Sequence, residues 1–135
     1  MDVCVMIVDD DHMFNLMAKL QLAHAGISAH PYTFTDGNEA LSFIAKHRYS
    51  STRILLFLDI NMPGISGWQV LDELQQWDIL AKIRVVMVTS SIDSADQRRA
   101  KTYPLVAGYL IKPIKLEHLL SLTRAAPLSA WFDNS

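Results

Sequence analysis

Cysteine is almost absent from this 135-residue chain: the single thiol, Cys4, lies inside an apolar run and has no partner for an internal disulfide. A small buried thiol is the expected role at that place. Basic excess is missing too. The formal net charge is −2, which argues against a dedicated nucleic-acid binder. No stretch reaches the ~18 continuous apolar residues of a membrane span. The N-terminus has no basic region, apolar stretch and cleavage site in series, so a cytoplasmic protein is expected. Internal repeats and Ser/Gly-rich linkers are lacking as well. What remains is a length suited to one domain, with 50% hydrophobic and 19% charged residues, a composition that supports a packed core.

Five short runs read as strands: Val3–Val8, Ile27–Phe34, Ile54–Leu58, Ile83–Thr89 and Val106–Ile111. Four are nearly continuous in Val, Ile, Leu, Met and Phe, the pattern of parallel strands covered on both faces. The second contains Pro31, which cannot donate to a ladder and so points to a sheet edge. Helical patterns alternate with these runs. Met13, Met17, Leu20 and His24 mark the first helix, which Gly26 stops. Asp36 or Thr35 caps a second, carrying Ala40, Leu41, Ile44 and Ala45. The third holds Val70, Leu71, Leu74 and Trp77 after Gly67. Ser94 with Gln97 forms a capping box for a fourth over Ala95–Tyr103, ended by Pro104. Leu116, Leu119, Leu120 and Thr123 line the fifth. The order (βα)₅ predicts an α/β parallel sheet with helices on both sides. About a dozen residues follow, Ala125 to Ser135, too few for an output domain, and Trp131 and Phe132 among them are expected to dock on the body.

Ligands of open α/β sheets collect beyond the carboxyl ends of the strands. Here the first strand ends in Asp9-Asp10-Asp11, the third in Asp59, the fourth in Thr89-Ser90-Ser91 and the fifth in Lys112-Pro113. Clustered carboxylates repel unless a cation joins them, and hard Mg²⁺ prefers oxygen. A carboxylate can be a nucleophile that forms an acyl phosphate. An ammonium and a hydroxyl suit phosphoryl oxygens. Phosphoryl transfer needs mainly positioning and charge neutralisation, and this set supplies both. Asp11 reads as the cap of the first helix. The five histidines, at 12, 24, 30, 47 and 118, share no metal-ligand spacing.

The runs VMIVDDD, FLDINMPGISGW, VMVTSS and GYLIKP, in that order, resemble the motifs of two-component response-regulator receivers over about residues 3–124. The resemblance implies a flavodoxin-like sheet of order 2-1-3-4-5 and a receiver domain over 1–124, with 125–135 a short tail, as in stand-alone receivers. It implies that Asp59 is the phosphoacceptor and that Asp9 and Asp10 form the acidic pair for Mg²⁺, with Mn²⁺ as a substitute. Asp10 would be the more direct ligand, and Asn61 would offer its backbone carbonyl. Thr89 would bond the phosphoryl group, Lys112 would pair with it, and Pro113 would follow a cis peptide. Tyr109 matches the switch aromatic. Asn61 and Ser91 stand where side chains tune dephosphorylation, and both are small and uncharged, implying an intermediate phosphoryl lifetime.

By the same resemblance the donor is a histidine kinase or a histidine phosphotransfer domain, within a two-component system or phosphorelay. Phosphorylation would draw in Thr89 and Tyr109 and reshape the face of the fourth helix, fifth strand and fifth helix for an unidentified downstream protein. That face carries Arg98, Arg99, Lys101, Lys115 and His118, read either as a solvated surface or as a dock for an acidic partner. Val106-Ala107-Gly108 replaces the acidic residues that many dimerising receivers have before the switch aromatic. Three rival readings share parts of this pattern. An Asp-nucleophile phosphatase would typically show Asp-x-Asp, whereas Asp59 is followed by Ile60 and Asn61. A binding module with a dead site would lack some of the groups present. A flavodoxin-type cofactor binder would not place acids where a flavin phosphate must sit.

Overall fold

The computed structural model describes residues 3–132. Strand and helix alternate along them: β1 (Val3–Val8), α1 (His12–His24), β2 (Tyr32–Phe34), α2 (Gly37–Lys46), β3 (Arg53–Leu58), α3 (Gly67–Gln75), β4 (Ile83–Thr89), α4 (Ser94–Ala100), β5 (Val106–Ile111), α5 (Leu116–Arg124) and a short α6 (Ser129–Phe132). The strands form one parallel sheet of order β2-β1-β3-β4-β5. This is the flavodoxin-like arrangement expected. Among the described residues no helix is long and apolar enough to cross a membrane.

The period-two alternation of each strand divides the core into two layers. Met6, Val8, Ile54, Leu56, Leu58, Val85 and Met87 face α2 and α3, where Ala40, Ile44, Val70, Leu71 and Leu74 meet them. Val5, Ile7, Leu55, Phe57, Val86 and Val88 face α1 and α5 through Ala18, Leu22 and Leu119. Val70, Leu71 and Leu74 lose all exposure; each such burial stabilises by roughly 1.5–3 kcal/mol. Leu128 is buried in the second layer, and Trp131 and Phe132 pack against it as expected. The Arg53 guanidinium lies 5.2 Å from the Trp131 ring centroid. The last residues of the expected tail, 133–135, lie outside the described residues.

Four local expectations change. β2 is not Ile27–Phe34 but only Tyr32–Phe34. Ile27 is instead buried against the end of α1, its N–H donating to the Leu22 carbonyl after Gly26 turns the chain at φ +72°. The edge position of β2 stands. α1 buries Asn15, Ala18 and Leu22, while Met13, Met17 and Leu20 point to solvent. Asn15 sets that rotation: its Nδ2 donates to the carbonyls of Asp9 (2.9 Å) and Phe34 (3.4 Å). α4 spans Ser94–Ala100, shorter than Ala95–Tyr103, and its cap is Asp93, which accepts from the Ala95 N–H at 2.9 Å. Ser94 accepts from Arg98 instead, so no Ser94–Gln97 box forms. Cys4 is half-buried rather than enclosed, and burial pushes its thiol pKa up.

The other caps follow side-chain chemistry. Asp11 accepts from the Met13 and Phe14 N–H groups, and Asp36 from that of Asn38. Ser66 and Gln69 form a capping box at α3. Trp77 lies just beyond that helix, with the Arg48 guanidinium 5.3 Å from its ring centroid.

Gly67 starts α3 against the end of β3. A Cβ there would lie 2.3 Å from the Asp59 carbonyl oxygen, a backbone atom that cannot swing aside. Gly67→Ala should therefore lower stability by about 1–3 kcal/mol, read as a lower urea midpoint with an unchanged slope. A midpoint equal to wild type would show that the loop relaxes freely.

Candidate acidic site at the carboxyl edge

Strand order reverses between β1 and β3, and this crevice is where the acidic residues meet. Val8 pairs with Leu58, so Asp9 and Asp59 leave neighbouring strands at the same level. The Asp59 N–H donates to the Val8 carbonyl at 3.0 Å, and the Asp9 N–H to that of Phe34 at 3.0 Å. Carboxylate oxygens of Asp9, Asp10 and Asp59 lie within 4.8 Å of one another, the one such acidic, histidine or cysteine group among the described residues. Asp9 and Asp59 are 1% and 6% exposed, while Asp10 is open to solvent. All-oxygen donors with one exposed member suit a hard divalent cation that keeps some waters.

Lys112 completes the cluster from β5. Its Nζ lies 2.6 Å from Asp9 Oδ2 and 3.7 Å from Asp59 Oδ2. Its backbone N–H donates to the Thr89 carbonyl at 2.9 Å, and the Lys112–Pro113 peptide is cis, as expected. A second cis peptide, Ala126–Pro127, was not foreseen. Burial and the Asp9 charge raise the Asp59 carboxyl pKa above its ordinary value. The Lys112 ammonium and the N–H groups of Asn61 and Ile60 pull the other way without cancelling the rise.

Thr89 is fully buried at the end of β4, its Oγ1 accepting from the Ser91 N–H at 3.2 Å. Ser91 is more occupied than a free hydroxyl would be: its Oγ donates to Asp96 Oδ2 at 2.7 Å, and its carbonyl accepts from the Tyr109 hydroxyl at 3.2 Å. Burial pushes the Tyr109 phenol pKa up. Asn61 is exposed in the loop after Asp59. Asp11 stands apart from the acidic group as the cap of α1.

Residues not foreseen complete the surroundings. Asn15 pins the Asp9 carbonyl, and its own Oδ1 is buried without a partner. The Phe14 ring centroid lies 4.3 Å from Lys112 Nζ. Asp96 holds Ser91. Arg99, one of the basic residues of the fourth-helix face, is exposed, with its guanidinium 4.4 Å from the Trp68 ring centroid on α3, and Trp68 stacks with Tyr103 at 5.9 Å. None of these carries a spacing signal; each depends on which helix faces which strand end.

A doubly wound parallel sheet with clustered acids at its switch point and a lysine reaching over them defines a flavodoxin-like domain with an acidic crevice fit for a divalent cation. The description "Response regulator receiver domain" matches residues 5–124, and the chain belongs to that family, the signalling switches of two-component systems. It is 27% identical over 117 residues to the probable methanogenesis regulatory protein FilR2 of Methanothrix harundinacea, covering 85% of this chain and 75% of that one. It is 31% identical over 123 residues to the DNA-binding transcriptional regulator NtrC of Salmonella typhimurium, covering 90% of this chain but 24% of that protein. The crystal structure of a two component response regulator from Cytophaga hutchinsonii superposes with a TM-score of 0.83 at 27% identity, covering 91% and 95% of the two chains.

The raised Asp59 pKa has a consequence for stability. An acid whose pKa is higher folded than unfolded favours the folded state when protonated, so stability falls as pH rises through the ordinary carboxylate range toward the folded value. Without divalent cations, Asp59→Asn should therefore raise the melting temperature at pH 7, and the gain should shrink as pH is lowered toward 4, a value set by the ordinary aspartate range of about 3.9. A constant or inverted difference across that range would contradict the electrostatic origin.

Proposed function

We propose that this receiver is a phosphoryl-accepting switch in which Asp59 takes the phosphoryl group from a phosphohistidine donor with Mg²⁺. The observation that carries the reading is the convergence of three carboxylates and one ammonium at the switch point of the sheet. If all three acids are ionised, their charges against one ammonium leave two negative charges uncompensated, which one divalent cation would neutralise. Asp9, Asp10 and Asp59 would hold it, with the Asn61 carbonyl as a further oxygen donor. The ion supplies charge neutralisation for the transferred group.

An Asp59 oxygen attacks phosphorus as the phosphorus–nitrogen bond breaks, and the electron pair leaves with the donor imidazole. Lys112 moves from Asp9 toward the new phosphoryl oxygens, a short step from its place between the two carboxylates. The Thr89 hydroxyl donates to the same group, giving up its tie to the Ser91 N–H. Ser91 also holds Tyr109 and Asp96, so this exchange reaches β5 and α4 together. The altered α4–β5–α5 face would signal to a downstream protein. Hydrolysis is left to water passing Asn61 and Ser91, neither of which is a strong base.

The donor's docking place is supported by α1. Met13, Leu16, Met17 and Leu20 are 65%, 53%, 56% and 62% exposed, an apolar stripe at helical spacing left largely to solvent. Phe14, Met17, Lys112 and Pro113 line one groove, so the stripe runs into the mouth of the acidic site. A helical phosphohistidine-bearing domain seated on it would face its imidazole toward Asp59.

Acetyl phosphate with Mg²⁺ should add one phosphoryl group to the wild type and none to Asp59→Ala, measured by intact-mass spectrometry. Equal labelling of the two would overturn the assignment. Leu16→Lys with Leu20→Lys should keep that labelling while losing about 10-fold or more in transfer from a phosphorylated histidine phosphotransfer domain, as loss of an apolar anchor predicts. Undiminished transfer would place the donor elsewhere.

A further inference from the structure

We propose that Phe14 is a positioning residue for Lys112, holding the ammonium group over the crevice between Asp9 and Asp59; this rests on the phosphoryl-transfer reading of that site. Lys112 follows directly on β5, and two strands, β3 and β4, lie between β5 and β1, the strand that Asp9 follows. Its side chain is a flexible four-carbon stem that could point many ways. Yet only 21% of it is exposed, and its ammonium reaches Asp9 at 2.6 Å. Something must bring the loop over the crevice and keep it there.

Helix α1 does so by two contacts. Gln21 Nε2 donates to the Ile114 carbonyl, fixing the chain just after Lys112-Pro113. About two helical turns nearer the site, the Phe14 ring centroid lies 4.3 Å from Lys112 Nζ, within the range of a cation–π attraction. Phe14 itself is held: its N–H donates to Asp11 Oδ1 at 3.2 Å, and its ring packs against the second core layer. The ammonium thus has carboxylates on one side and an aromatic ring on another.

The neutrality of that ring is what suits it to the task. A further carboxylate in place of the ring would also hold the lysine, but would repel an incoming phosphoryl group and compete for the ammonium. The ammonium rests on Asp9, the nearer and more buried of the two aspartates. An aromatic face attracts the cation without adding negative charge, so Lys112 keeps its place while remaining free to exchange Asp9 for a phosphoryl oxygen. Phe14 acts through Lys112.

The test compares Phe14→Leu, which keeps apolar bulk but no ring, with Phe14→Tyr, which keeps the ring. Two measurements are made on the full chain: the ring-current shift of the Lys112 Hε protons by NMR, and the affinity for beryllofluoride in the presence of Mg²⁺. The wild type should show upfield-shifted Hε signals, lost in Phe14→Leu and kept in Phe14→Tyr. Phe14→Leu should weaken beryllofluoride binding by about three- to tenfold. Phe14→Tyr should restore it, and Phe14→Leu should add nothing in a Lys112→Ala background. The positioning role alone is overturned if the wild type binds beryllofluoride and Phe14→Leu binds it equally, or if Phe14→Tyr falls as far as Phe14→Leu. It is also overturned if the loss persists undiminished without Lys112. A wild type that shows the ring-current shift yet takes up no beryllofluoride would overturn the phosphoryl-transfer reading, and the positioning role with it.

Discussion

Mutual repulsion among three carboxylates is the constraint around which the carboxyl edge of this sheet is organised. Oxygens of Asp9, Asp10 and Asp59 lie within 4.8 Å of one another, two of the three residues being buried. Such a group is costly unless it is neutralised and hydrogen-bonded. Lys112 supplies one positive charge, and backbone N–H groups at Asp11, Ile60 and Asn61 supply further donors. Burial first, and then the Asp9 charge that these donors leave uncompensated, raise the Asp59 pKa. The same residual charge suits the site to a divalent cation. A site that costs stability when empty and gains it on ligation is well placed to be a switch, because ligation changes the balance that its neighbours must meet.

The remainder of the fold holds this cluster from two directions. On one face α3 is seated through Gly67 against the Asp59 carbonyl, and its Trp68 meets Arg99 and Tyr103 at the far end of α4. The Tyr103 hydroxyl donates to Asp72 on α3 at 2.7 Å. The C-terminal end of α4 is thereby fastened to the helix that abuts the proposed acceptor. Its N-terminal end is fastened differently, through Asp96 to Ser91 and onward to Thr89 and Tyr109. These two attachments tie one end of α4 to α3 and the other, through Ser91, to the strand-four hydroxyl. On the other face α1 carries Asn15 to the Asp9 carbonyl and Phe14 to Lys112, while its outer stripe is left to solvent.

Much of the architecture was legible because parallel strands must be apolar on both faces, and β1, β3, β4 and β5 read that way residue by residue. The acidic site was legible for a related reason: groups placed directly after strands are brought to one edge by the topology itself. β2 was overestimated because an apolar residue after a glycine stop, Ile27, can pack back on its helix as easily as extend a strand. The burying face of α1 was misread because Met13, Met17 and Leu20 have the spacing of a core stripe. A buried asparagine, held by two backbone carbonyls, overrode that pattern. In α4, Ser94 and Gln97 matched a capping box, but Asp93 one residue earlier presented the better acceptor.

The sequence by itself determined the order of elements, the sheet class and the residues delivered to the carboxyl edge, since each depends on periodicity or on position relative to a strand end. Only the tertiary structure decided what faces those residues from the side. That Phe14 lies beside Lys112, that Asp96 engages Ser91, that Arg99 lies over Trp68, and that four apolar side chains of α1 remain uncovered all depend on how helices are rotated against the sheet. Rotation is set by contacts between residues far apart in the chain, and no local pattern encodes it.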